Sequence, residues 1–139
     1  MVRKICVDSD ILIGFLKSAP EARLAVEKSG EGIFCTTSVN VFEVWIGRKK
    51  DELVSETLSS LQIAPLDDKS AKMAADIARS LQNDGNMIDL NDLFIGAICI
   101  SEGMEILTFN TRHFERLKKF GLVLTDTNGK RSSDGPGYV

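Results

Sequence analysis

Residues 5–16 read ICVDSDILIGFL. Residues 2–8, VRKICVD, are an apolar run rich in β-branched side chains and predict a buried strand ending at Asp8. Directly after it the spacing becomes helical. Ile11, Leu12, Phe15 and Leu16 fall on one face of a helix that stops before Pro20, with Asp10 as its expected N-cap. Two carboxylates one residue apart at such a junction need an account, because burying an ionised carboxylate without a partner is costly. The pair must face solvent, accept backbone N–H groups or be neutralised by a cation.

Further along, the same alternation recurs. A helix is predicted near 21–29, then a strand at GIFCTT (32–37), and then a helix from a Ser38 cap to about residue 49. That helix carries Val39, Phe42, Trp45 and Ile46 as its apolar stripe and Glu43 one turn in. A helix near 51–61 leads to IAPL (63–66), a weak strand because of Pro65, and Asp67 or Asp68 caps an Ala-rich helix reaching Leu81 or Gln82. After NDGN (83–86), a helix from Leu90 to about Ser101 has Asp92 in its first turn and Gly103 as C-cap, and Asp89 is a second candidate for a cap or outer ligand. EILTF (105–109) is a strand followed by Asn110, a helical turn near 111–118 and a last strand, LVLT (122–125). Strands alternating with helices predict an α/β fold, a mostly parallel central sheet with helices on both faces, whose ligands collect at the carboxyl ends of the strands. Residues 1–125 are expected to form one domain, and 126–139, DTNGKRSSDGPGYV, a flexible tail without apolar pattern.

With 43% hydrophobic and 27% charged residues, the 139-residue chain has the composition of a soluble globular domain and not of a disordered one. Its net charge of −3 exerts no global pull on nucleic acid, so any such binding must be local. Two basic clusters offer it: Arg48-Lys49-Lys50, and Arg112 through Arg116, Lys118 and Lys119. Cys6, Cys35 and Cys99 lie in apolar stretches and form no C-x-x-C, which predicts reduced buried thiols in a cytoplasmic protein. No stretch reaches the roughly 18 apolar residues of a membrane span, and no signal peptide is expected.

Four polar positions come to one edge of the inferred sheet: Asp8, Glu43, Asp92 and Asn110. Three acids converging there would repel one another and hold raised pKa values unless a divalent cation kept them ionised, and oxygen-only donors suit Mg²⁺ or Mn²⁺. Spacing alone also allows them to be helix caps. The wording around them is more specific. VDSDILI (7–13), TSVNVFEV (37–44), NDLFIGA (91–97) and TFNTRHFE (108–115) resemble, in order and spacing, the PIN-domain family, its VapC-type toxin branch above all, over about residues 4–124.

That resemblance implies a Rossmann-like three-layer α/β/α sandwich and a metal-dependent endoribonuclease, usually a homodimer, inhibited by an antitoxin protein that inserts a segment into the active-site groove. By position Asp8, Glu43 and Asp92 match the family's three acids and metal ligands. Asn110 stands where many members carry a fourth acid, a departure that bears on a second metal ion and not on the first. Ser9 either contacts substrate or metal-bound water or is a turn hydroxyl. Arg48, Lys49 and Arg112 are candidates for holding RNA phosphate. His113, the only histidine, reads as a surface or packing residue that can at most touch phosphate, and Trp45 as core or dimer surface. Two other classes compete: a PIN-like domain that binds RNA or protein without cutting, and an aspartate-nucleophile phosphatase of the haloacid-dehalogenase type. The latter fits Asp8 and Asp10, but ILIG follows where glycine-threonine is usual.

Overall fold

Strand β1, Lys4–Val7, alternates its side chains strictly, and that alternation assigns the two faces of the sheet. Cys6 points into one core, and Ile5 and Val7 point into the other. The computed structural model describes residues 2–47, 52–126 and 131–132, the last two by backbone alone. Strands β2 (Ile33–Thr37), β3 (Gln62–Ala64), β4 (Glu105–Leu107) and β5 (Leu124–Thr125) complete a parallel sheet in the order β3-β2-β1-β4-β5.

Helices α1 (Ser9–Leu16), α2 (Pro20–Lys28), α3 (Ser38–Ile46) and α4 (Glu52–Ser59) connect β1, β2 and β3. Their inward residues Ile11, Leu12, Leu16, Ala22, Ala25, Val44, Val54 and Leu58 close over Ile5, Val7 and Leu107. Helices α5 (Asp68–Asn83), α6 (Leu90–Glu102) and α7 (Thr111–Phe114), with a 3-10 turn at Glu115–Phe120, cover the opposite face. There Ala74, Ile77, Leu81, Leu93, Ile95, Ile98, Phe114 and Leu117 pack on Cys6, Cys35, Ile106 and Leu124. The expected three-layer sandwich is the observed one, and all three cysteines are buried and free.

The winding runs outward from β1 to β3 under one layer, then jumps back to β4 and β5 under the other. The order therefore reverses between β1 and β4, where neighbouring connections diverge and leave a crevice at the carboxyl ends of the strands. Asp8 follows β1 at that point, and Thr108 follows β4.

Several local expectations change. Asp8, not Asp10, caps α1, accepting from the Ser9 N–H. Thr37, not Ser38, caps α3, because β2 runs through Thr37 and leaves its hydroxyl facing the Asn40 N–H. Ser38 instead accepts from the Leu66 N–H. Of the stripe expected on α3, Trp45 packs with Val41 and Val44 toward one core and Val39 toward the other, while Phe42 and Ile46 are exposed. Asp67 and Ser70 form a reciprocal capping box on α5. Past residue 125, Arg131–Ser132 pairs antiparallel with β5 as β6, covering what would be an open edge. Residues 127–130 and 133–139 of the segment read as a tail lie outside the described residues, as do Arg48, Lys49 and Lys50.

Candidate active site

The crevice is built on a buried polar network seeded by Asp8. One Asp8 carboxylate oxygen accepts from the Ser9 N–H at 2.8 Å and from the Asn40 Nδ2 at 2.9 Å. Its other oxygen accepts from the Thr108 hydroxyl at 2.7 Å. Asn40 is fully buried, and its orientation is set by the Thr37 hydroxyl, which donates to its Oδ1 at 2.8 Å. Asn40 Nδ2 also donates to the Ser9 Oγ, and Ser9 Oγ in turn donates to Glu43 Oε1 at 2.6 Å. The second Glu43 oxygen accepts from Asn91 Nδ2 at 3.2 Å. A chain of donors thus runs from β2 through α3 and α1 to the start of α6.

Asp10 reaches across to the segment after β4. It accepts from the Phe109 N–H at 3.1 Å and from the Thr108 hydroxyl at 3.3 Å, so one hydroxyl serves two carboxylates. Asp89 caps α6, and Asp92, in the first turn, faces His113 Nδ1 at 3.3 Å. Asn110 is exposed, donates its backbone N–H to the Thr108 hydroxyl, and makes no side-chain bond to any of the acids.

Electrostatically these groups form one anionic cluster. Burial and then the Asp10 charge push the Asp8 carboxyl up to about 6, against the lowering effect of the Thr108 and Ser9 donors. Asp10 is raised chiefly by burial. Asp92 is raised by burial and then by Asp89, with His113 opposing. Glu43 adds to the rise at both Asp8 and Asp92, so it stands electrically between them. Among the described residues no lysine or arginine pairs with Asp8, Asp10, Glu43 or Asp92.

The donor set is all oxygen and anionic, with no lysine or arginine partner among the described residues, which is the chemistry of a hard divalent cation. The carboxylates do not converge as the sequence led one to expect: among the described residues no three His, Cys, Asp or Glu side chains form a set that could hold one ion. Glu43 is hydrogen-bonded to Ser9 and Asn91, and Asp92 faces His113.

Asp8, Ser9 and Glu43 are directly connected, and Asp92 joins them through Asn91 and through charge. Sequence reasoning passed over Asn40, Thr108 and Asn91, the neutral groups that orient the acids. Their signal was present: Asn40 and Thr108 are polar residues inside otherwise apolar stretches, and both are buried. His113, expected at the surface, is exposed and also touches Asp92.

A crevice at the chain-order reversal of a doubly wound sheet, lined by interacting carboxylates that have no lysine or arginine partner among the described residues, defines a class of small acid-site α/β domains. The PIN domain model matches residues 5–120, and the chain belongs to the PIN-domain family. It is 32% identical over 123 residues to Ribonuclease VapC1 of Methanocaldococcus jannaschii, covering 88% of each chain. It is 31% identical over 121 residues to Ribonuclease VapC2 of Haemophilus influenzae, covering 82% of this chain and 92% of the relative. In fold it is similar to VapBC-1 from nontypeable Haemophilus influenzae, with a TM-score of 0.71 at 17% identity over 89% of this chain and 98% of that one.

Proposed function

We propose that the chain is an endoribonuclease of the VapC type, the toxin of a toxin–antitoxin pair, which hydrolyses RNA phosphodiester bonds with Mg²⁺ or Mn²⁺. The observation that carries this reading is the interacting set Asp8, Glu43 and Asp92, without a lysine or arginine partner among the described residues, in the crevice of a chain whose relatives are named ribonucleases. Those three residues would hold the cation, with Asn110 at the rim. A divalent ion supplies, when bound, an activated water and a polarised phosphoryl oxygen.

The chain's own residues supply orientation. Asn40, Ser9 and Thr108 fix both Asp8 oxygens, so this carboxylate is presented in one rotamer. Asn91 and Ser9 hold Glu43 from either side, and His113 holds Asp92. Ser9 is thereby a structural bridge within the site as much as a candidate for substrate contact. Nothing in this arrangement needs a covalent enzyme intermediate, and the likeness to VapC proteins speaks against the phosphatase reading.

An antitoxin partner is supported by the structural neighbour, which is a VapBC assembly. Homodimerisation is supported by the apolar side chains that α3 leaves in solvent, Phe42 and Ile46, at 55% and 71% exposure. No described helix is long and apolar enough to cross a membrane, in keeping with a cytoplasmic site of action.

The test is RNA cleavage by purified protein with Mg²⁺ or Mn²⁺, with chelator, and with Asp92→Ala and Asp8→Asn. Cutting should require the cation. Each variant should lose at least about 100-fold, since even partners one step removed from a metal commonly cost 10–100-fold. Equal cutting by wild type and both variants would assign the activity to a contaminant and remove the reading.

A further inference from the structure

Resting on the ribonuclease reading, we infer that the segment after β4 is the strand-holding wall of the site, with one RNA base stacked on the Phe109 ring and an adjoining phosphate on the Arg112 guanidinium. A cleft of about 710 Å³ is lined by Phe109, Asn110, Arg112, His113, Glu115 and Arg116. It adjoins a smaller depression of about 180 Å³, which shares His113 and Arg116 and contains Asp89 and Asp92. A polymer lying in the larger cleft is thus led past His113 to the carboxylates.

The charges along this cleft sort themselves by partner. Arg116 donates to the Met87 carbonyl oxygen and so holds the segment before α6. Glu115 is paired with Lys118 at 3.2 Å, which neutralises the one acid of the lining. His113 is turned to Asp92. Arg112 has no hydrogen bond or ion pair with another described residue, and it is exposed. An acidic site on a chain of net charge −3 repels a polyanion, so a cation near its mouth is what a phosphate backbone requires.

Phe109 gives the second half of the argument. Its side chain is 45% exposed and packs into neither core, although an aromatic ring at a strand end would ordinarily be buried. Its backbone is nevertheless pinned, because the Asp10 carboxylate accepts the Phe109 N–H and the Thr108 hydroxyl. A solvent-facing ring on a fixed backbone is a preorganised stacking platform for an unpaired base, and unpaired segments are where proteins engage RNA bases. Asp10, whose carboxylate was unexplained at the outset, is then the positioning residue of this wall.

The experiment measures binding of a short fluorescent single-stranded RNA to the full chain carrying Asp8→Asn, by anisotropy at several salt concentrations, so that binding is read independently of cutting. Phe109→Ala should weaken binding about tenfold with an unchanged salt slope, and Phe109→Trp should restore it. Arg112→Ala should weaken binding and lower the salt slope by about one, with Arg112→Lys intermediate. In the cutting-competent chain Phe109→Ala should raise KM and leave kcat. Unchanged affinity in both alanine variants, or no RNA binding by the parent, overturns the proposal. Loss of RNA cutting without loss of this binding pattern would strike the nuclease reading and leave the wall standing.

Discussion

The Asp8 carboxylate accepts from Ser9, Asn40 and Thr108, yet its pKa lies at about 6, because burial and the charges of Asp10 and Glu43 outweigh those donors. The sign of the consequence is fixed by linkage. A carboxylate raised in the folded state binds more protons there than when unfolded, so stability falls as pH rises from about 4 to about 6 and stays lower above. At neutral pH the ionised Asp8 costs the cation-free fold about 3 kcal/mol. Asp8→Asn should therefore stabilise the metal-free protein at pH 7 by about 1–3 kcal/mol and flatten the curve between pH 4 and 6, as chemical denaturation at several pH values would measure. Asn fits the network: its oxygen accepts from Ser9 and Asn40, its amide donates to Thr108, and the Thr108 hydroxyl turns to Asp10. An equally steep, unstabilised curve would show that this carboxyl is not strained. The acids themselves were legible in the sequence, because charge beside an apolar run is conspicuous. Asn40 and Thr108 left only the faint signal of a polar side chain within an apolar stretch, and Asn91 none, because a neutral side chain at a helix start reads the same whether it caps, packs or orients a neighbour.

Among the elements, α6 was the most legible and α3 the least. Helix α6 begins at an Asp89 side-chain cap and ends at Gly103 in the left-handed conformation (φ 67), so both ends are written in residue type. Helix α3 lies where the two cores meet. Val39 serves one core and Val41, Val44 and Trp45 the other, which spreads the inward residues over more than one stripe and leaves Phe42 and Ile46 outside. Close approach also matters for α6. A Cβ at Gly96 would run into the buried Leu117 side chain of the 3-10 turn, which brings α6 down beside the segment carrying His113. Gly96→Val should destabilise by about 1–3 kcal/mol through overpacking. Leu117→Ala should cost about 2–5 kcal/mol through the cavity it leaves. In the double variant the losses should be clearly less than additive, the signature of one shared space in a denaturation cycle. Strict additivity would mean that the two side chains do not contend.

For the whole molecule, alternating strands and helices made the layered sheet legible, but not the strand order. Alternation is equally compatible with other windings, and the assignment of α1–α4 to one face and α5–α7 to the other emerges only from which side chains meet β1. Nor did the sequence indicate β6, a two-residue strand in a stretch with no apolar pattern. At this scale the cation reading has a global signature. An ion that binds the folded state alone should raise the melting temperature with concentration, and Mn²⁺ or Mg²⁺ should do so for wild type and not for Asp8→Asn. The shift should shrink as pH falls through about 6, because protons compete for the Asp8 oxygens. A wild-type melting temperature indifferent to both ions would favour a domain that binds without cutting.

The position of β1 between β2 and β4 has a consequence for biosynthesis. On the ribosome β1 waits for a neighbour translated long after it, and Asp8 waits for Thr108, 100 residues further along the chain. Nascent or prematurely terminated chains that stop short of β4 therefore lack the second neighbour of β1 and the donors that Thr108 and Phe109 give to Asp8 and Asp10. A cell translating such a chain meets a competent molecule only after β4 has left the ribosome.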